Sequence, residues 1–173
     1  MTRRARRNID VDELVRSRKD PVTLKDDLLS LLAVLSAIKW VAWNAHWKAH
    51  GHHFYSDHQL FERIYSGEGG GPAIDEQIDG LAERIVAKYG DSALDTPGLS
   101  GRIQSFVQIA SPPGSKKAPW TSLLLLEQTV LRYIHAALKN ITPTDIVLDN
   151  YLQTIADERS VAVYLLQRRA RLK

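Results

Sequence analysis

The 173-residue chain predicts an all-α fold, a bundle of four long helices with short extra pieces. Three observations carry that reading. Apolar residues recur in alternating steps of four and three along several separate stretches, the period of an amphipathic helix. No stretch alternates apolar and polar side chains as a half-buried strand does. Glycine and proline gather in a few clusters, SGEGGGP, TPGLSG and SPPGSKKAP, which read as breaks between rods.

The elements follow in order. Residues 1–20 lack an apolar period and carry Arg3, Arg4, Arg6 and Arg7 with no acid among them, so they read as a basic mobile arm ahead of a single domain over 21–173. Thr23 with Asp26 three residues on is a helix start. From there Leu24, Leu28, Leu31, Leu35, Ile38, Ala42, Ala45 and Ala49 form one buried stripe of a long helix, with Trp40, Trp43 and Trp47 as a second stripe and Gly51 as the stop. Ser56 and Gln59 suggest a new cap, with a helix from about His58 to Tyr65. SGEGGGP at 66–72 interrupts it, and helical spacing resumes at Ile74, Ile78, Leu81 and Ile85 and stops at Gly90. A short segment covers about Arg102–Ala110. A further long helix spans about Trp120 to Lys139, with Leu124, Leu131, Ile134 and Leu138 at core spacing. Thr142 and Asp145 are placed as the cap pair of a last helix that runs to about Arg169, with Pro143 early in it.

Composition narrows the chemistry. There is no cysteine, which removes disulfides, thiolate metal sites and a thiol nucleophile. Net charge is only +3, yet both ends are basic and the middle is near neutral. The start shows no apolar run of the secretory kind. The most apolar stretch, Leu28–Trp43, carries Ser30, Ser36 and Lys39 and falls short of the roughly 20 residues a spanning helix needs. The expectation is a soluble cytoplasmic protein with no membrane partner.

Five of the six histidines, His46, His50, His52, His53 and His58, crowd around Gly51; His135 stands apart. His58 and Glu62 are four apart and share a helix face. His46 lies one turn before the end of the preceding helix, and a connection as short as 49–55 can bring the two helix ends together. Two imidazoles and a carboxylate then converge, a donor set suited to Fe(II), Mn(II) or Zn(II). Asp75, Asp79 and Glu83 fall on one face of the following helix and offer further carboxylates. The plain alternatives are a buried structural histidine at 46, a solvated acidic face at 75–83 with Glu83 paired to Arg84, and polar loop residues at 50, 52 and 53. Trp47, beside His46, supports the metal shell, quenches a stray radical, or simply packs in the core.

The pattern His46-Trp47, Gly51, Phe54, His58, Phe61, Glu62 and Tyr65, followed by Asp79, Ala82-Glu83-Arg84-Ile85 and Gly90, resembles the Dps family of miniferritins. The resemblance covers about Leu24 to Gly90; the later helices match by length and pattern. It implies a ferritin-like four-helix bundle with a short extra helix in the middle connection, assembled as a homo-oligomeric shell, a dodecamer. It implies ferroxidase sites at two-fold interfaces, with His46, His58 and Glu62 from one subunit and Asp79 and Glu83 from its partner. The implied activity is oxidation of Fe(II) with hydrogen peroxide and storage of ferric mineral, protecting DNA from oxidative damage, with non-specific DNA bound through basic tails. Family pores are lined by acids near the start of the last helix, a region where this chain has Asp145 and Asp149. Other ferritin-like bundles build the site within one subunit from Glu-x-x-His pairs, and this chain has none. Two departures stand out: Glu62 where the family usually has aspartate, and the surplus SGEGGGP, expected to loop outward.

Arg3, Arg4, Arg6 and Arg7 can neutralise phosphates and release counterions. Two other functions fit the same residues: a structural DNA-coating shell whose ferroxidase site is impaired by the insert, and a helical adaptor that binds zinc through His50, His52 and His53.

Overall fold

The computed structural model describes residues 23–67, 73–112 and 114–171, with six α-helices and no strand among them. The helices are α1 (Leu24–Trp47), α2 (Phe54–Ser66), α3 (Ile74–Tyr89), α4 (Thr96–Ala110), α5 (Pro119–Asn140) and α6 (Ile146–Arg171). The arm with Arg3, Arg4, Arg6 and Arg7 lies outside the described residues, as does most of the glycine-rich insert.

α1 begins where the sequence places it. Thr23 is extended, its Oγ1 accepts the Asp26 amide at 3.3 Å, and Asp26 and Asp27 sit favourably in the first turn. The expected stripe is buried from Leu28 to Ala45, with Leu24 and Ala49 half-buried and Ala49 beyond the helix end, and Leu32, Ala33, Val34 and Ala37 are buried too, because α1 touches α2, α3, α4 and α5. A helix enclosed by neighbours is apolar all round. The length argument against a membrane span does not hold. α1 has 24 residues and is apolar enough to cross a bilayer by length and composition, but two-thirds (67%) of its most apolar window is buried inside the bundle.

Cross-links between helix ends fix the topology. Asn140 donates to Asp27 at 3.2 Å, so α5 runs antiparallel to α1. Arg169 reaches Asp57, and Lys88 reaches Asp145 at 2.7 Å, so α6 runs antiparallel to the rod made of α2 and α3. α4 carries the chain back along α1, with Arg102 bonded to Asp26 and Ser30 near one end and Ser122 donating to the Ala110 carbonyl at the other. The result is a ferritin-like bundle with one long crossover. The second of its four rods is two helices, α2 and α3.

Four boundaries or phases differ from expectation. α2 starts at Phe54 rather than near His58: Gly51 takes φ 82°, the Phe54 amide bonds the Gly51 carbonyl at 3.1 Å, and this tight turn starts the helix a full turn early. Ser56 is then not a cap; its hydroxyl donates to the His53 carbonyl. α4 begins at Thr96 because the Asp95 carboxylate accepts the Gly98 amide at 2.8 Å and Pro97 suits a first turn, which makes TPGLSG helix rather than a break. α6 begins at Ile146, with Asp145 accepting the Leu148 amide, so Pro143 lies in the turn before the helix. In α5, Leu124, Leu131 and Leu138 are half-buried, and the core is filled by Leu123, Leu126, Val130, Ile134 and Ala137. The buried face is turned by one residue because α5 packs between α1 and α6.

Two glycine-dependent and charged contacts complete the packing of α6. Tyr151 donates to the Gln77 carbonyl at 3.1 Å and lies 3.7 Å from the Arg84 guanidinium, a close approach that a Cβ at Gly80 would block. Deeper in, Glu127 (0% exposed) and Arg159 (3%) form a buried pair at 3.4 Å. Burial raises the Glu127 carboxyl from 4.5 to about 7 against the opposing pull of Arg159. A carboxyl whose folded pKa is raised binds its proton more tightly in the native state. Its contribution is therefore full below the unfolded value and is lost as pH rises through the folded one. Unfolding free energy should fall by up to about 3 kcal/mol between pH 4.5 and 7 on account of this group. Urea titrations across that window check it: the slope should be absent in Glu127→Gln, and an unchanged slope would contradict the assignment.

Candidate metal centre

The centre is built by the α1–α2 turn. His46 lies in the last turn of α1 and His58 in the second turn of α2. The Gly51 turn sets the two helix ends side by side, and the rings stack with centroids 3.7 Å apart. Each ring then bonds the other residue's backbone. His46 Nδ1 donates to the His58 carbonyl at 3.2 Å, and His58 Nδ1 donates to the His46 carbonyl at 3.3 Å. A carbonyl oxygen only accepts, so both Nδ1 atoms must carry the proton. The lone pair of a neutral ring is thereby placed on Nε2 in both residues. A hydrogen bond that fixes the second nitrogen is how metal-binding histidines are usually held.

Glu62 follows His58 by one turn and completes the group. One donor atom from each of His46, His58 and Glu62 lies within 4.8 Å of the others, and all three residues are half-buried. Tyr65 stands edge-on to His46 at 5.7 Å and to Trp43 at 6.1 Å, and Phe54 flanks His58 at 5.3 Å. The donor set is two imidazole nitrogens and one carboxylate oxygen, which suits a divalent first-row ion. Three donors leave coordination positions open for other ligands.

The remaining site residues lie elsewhere. Asp79 and Glu83 are exposed on α3 and do not join His46, His58 and Glu62 within the chain. They border the Arg84–Tyr151 contact, where their charge helps to raise the Tyr151 hydroxyl, behind the larger effect of burial and against the pull of Arg84. Arg84 itself bonds the Gly80 carbonyl at 2.8 Å. Trp47 is 66% exposed, which overturns packing in the core; it leans on Trp43 at 5.8 Å. Asp145 is held by Lys88, whose hydrogen bond lowers its carboxyl, and also caps α6; Asp149 accepts from Gln153 at 3.0 Å.

His50, His52 and His53 are drawn away from the centre. They line a cleft of about 370 Å³ together with Lys48, Lys116, Lys117 and Arg169. His50 Nδ1 donates to the Lys48 carbonyl at 2.7 Å. Among the described residues these three form no metal-competent group, and a cleft rimmed by lysines repels a cation. The zinc-adaptor reading has no support in this geometry.

Two arginine contacts that brace α2 were not singled out from the sequence. Asp57 and Arg169 pair through two bonds of 2.5 and 3.0 Å, with Arg169 4.2 Å from the Trp120 ring. Arg159 donates to the Ile64 carbonyl at 3.2 Å. A signal for the second contact existed. Glu127 and Arg159 fall at core spacing with buried apolar residues: Leu123, Val130 and Ile134 in α5, and Leu152, Ile155, Ala162 and Leu166 in α6.

No protein-family model and no curated protein matches the chain. A solved structure does, that of a Mycobacterium smegmatis Dps1 mutant, with TM-score 0.62 and 20% identity over 87% of this chain and 95% of that one. At that identity the likeness concerns the backbone alone. The chain has a Dps-like, ferritin-type all-α fold.

Proposed function

We propose that the chain is a miniferritin subunit whose centre oxidises Fe(II) with hydrogen peroxide and whose assembled shell stores the ferric product. The observation that carries this reading is the locked His46–His58 pair with Glu62 at ligand distance. Three donors hold a ferrous ion with positions to spare. The partner subunit's Asp79 and Glu83, brought across a two-fold axis, would add oxygen donors that favour the harder ferric product. Two Fe(II) and one H2O2 with two protons give two Fe(III) and two H2O. Both electrons reach one peroxide together, so no hydroxyl radical is released.

Several features support a second copy over this face. Trp47, next to His46, and Phe54, against His58, are 66% and 48% exposed, and Trp40 and Tyr55 on the same two helices are 56% and 74% exposed. A cluster of large exposed aromatics beside an incomplete donor set is a surface that needs a cover. A dodecameric cytoplasmic shell that guards DNA belongs to this reading, with Asp145 and Asp149 at its iron pores. There Lys88 offsets the charge of Asp145, which leaves Asp149 as the stronger cation lure.

Anaerobic Fe(II) mixed with peroxide should give a rapid rise in ferric absorbance that a His46→Ala/Asp79→Ala double variant lacks. Equal rates in the two proteins would favour the second reading, a structural DNA-coating shell with an impaired centre. The specific observation on that side is the break between Ser66 and Ile74, which separates the helix bearing Glu62 from the one bearing Asp79.

The DNA part of the proposal rests on the arm. Arg3, Arg4, Arg6 and Arg7 on each of many subunits act by avidity, and binding should weaken steeply with salt. Removal of residues 1–7 should abolish the gel shift of duplex DNA at moderate salt; an identical shift would rule the arm out.

A further inference from the structure

α2 has 13 residues, carries two of the three ligands, and ends abruptly. A helix this short is marginal by itself, and its last four carbonyls lack partners within the helix. In an uninterrupted rod the Ile64 carbonyl would accept from residue 68. Here the helix stops at Ser66, and Gly67 turns left-handed at φ 73°. The Ile64 carbonyl, one of the last four of the helix, accepts from Arg159, which reaches it from the middle of α6.

That contact requires a buried cation. Arg159 is 3% exposed, and Glu127 from α5 is fully buried opposite it. The network is not built for stability alone. Glu127 Oε2 and Arg159 Nε have no partner among the described residues. Replacing a buried ion pair with apolar side chains is often neutral or stabilising. What an apolar pair cannot do is donate a hydrogen bond to a severed helix end.

We propose that Glu127 and Arg159 are positioning residues that close the broken end of α2 and thereby hold Glu62 in register with His46 and His58. Glu62 lies two residues before the carbonyl that Arg159 holds. The start of the same helix is fixed by the reciprocal histidine bonds and by Arg169 on Asp57. Both arginines come from α6, ten residues apart (159 and 169), and they grip an antiparallel helix at 64 and 57. α2 is pinned at each end by one neighbour, and the pin at the Glu62 end compensates for the break. This role rests on reading the three residues as a metal site.

The test uses the full chain with Co(II) as the probe. Arg159→Met alone leaves a buried carboxylate unpaired and is prone to misfold, so the informative variant is Glu127→Leu/Arg159→Met. It should keep wild-type helicity and assembly size. Its Co(II) affinity should fall at least about tenfold, with a weakened d–d absorption band, the loss typical when the support of a ligand is removed. Amide exchange at residues 62–66 should quicken by a similar factor while the α1 core stays protected. Arg159→Lys, which can still donate to the carbonyl beside Glu127, should recover part of both. Wild-type Co(II) affinity together with wild-type exchange at 62–66 in the double variant would overturn the proposal. If the wild type itself binds no Co(II), the metal reading fails, and the exchange measurement alone still decides whether Arg159 closes the helix.

Discussion

Alanine at His46, His58 or Glu62 is expected to lower the initial rate of peroxide-driven Fe(II) oxidation by at least about 100-fold, because removing mere support of a ligand already costs roughly 10–100-fold. The expectation comes from how few donors the protomer offers. With three in the group, each loss removes a third of what first captures the ion. The two histidines are also interdependent: their rings stack, and each secures its orientation on the other's main chain. His58→Ala therefore removes a donor and strips one wall from His46. The matched control is His50→Ala/His52→Ala/His53→Ala, which alters three neighbouring imidazoles in the lysine-rimmed cleft and should oxidise iron at close to the wild-type rate. Stopped-flow ferric absorbance compares them. Equal damage from both sets would mean that the histidine-rich turn acts only as a structural unit.

Replacing Arg169 by methionine should cost about 3–5 kcal/mol of stability, the range found when one member of a buried ion pair is removed. Its side chain and that of Asp57 are 9% and 10% exposed, and two hydrogen bonds join them. The variant leaves Asp57 charged, enclosed and without its main partner, and loses the contact with Trp120. The apolar double Asp57→Leu/Arg169→Met should lose much less, since no uncompensated charge remains. Urea unfolding followed by circular dichroism at one fixed protein concentration measures both, because assembly adds a concentration-dependent term. A single variant no worse than the double would show that the pair is exposed to water in solution.

The parts of this fold legible in the sequence are those written locally. Thr23 with Asp26 marks a start, Gly90 marks a stop, and the stripe from Leu28 to Ala45 is buried as its spacing requires, whereas the first helix ends at Trp47, ahead of Gly51. Local signals misled where two of them competed. Ser56 has the makings of a cap, but the left-handed Gly51 had already turned the chain into a helix at Phe54. TPGLSG looks like a break until Asp95 is recognised as its cap. The convergence of His46, His58 and Glu62 was legible because all three lie close to one short connection. The bonds that set the histidine tautomers were not, since they end on carbonyl oxygens, which no residue type encodes. Nor were the partners of the two arginine pins on α2, which lie 95 and 112 residues away along the chain, although the core position of Arg159 was itself a signal. The same limit applies to Asp79 and Glu83: their spacing gives a shared exposed face, and only another copy of the chain could bring that face to the histidines.

That last dependence can be tested by complementation. Subunits carrying His46→Ala and subunits carrying Asp79→Ala, each inactive alone, are refolded together in equal amounts. In a mixed two-fold pair one centre inherits both defects and the other inherits neither, so random pairing restores about one quarter of the wild-type centres. Recovery of Fe(II) oxidation near that level is the predicted result. A mixture no more active than its separate components would contradict a centre shared between copies.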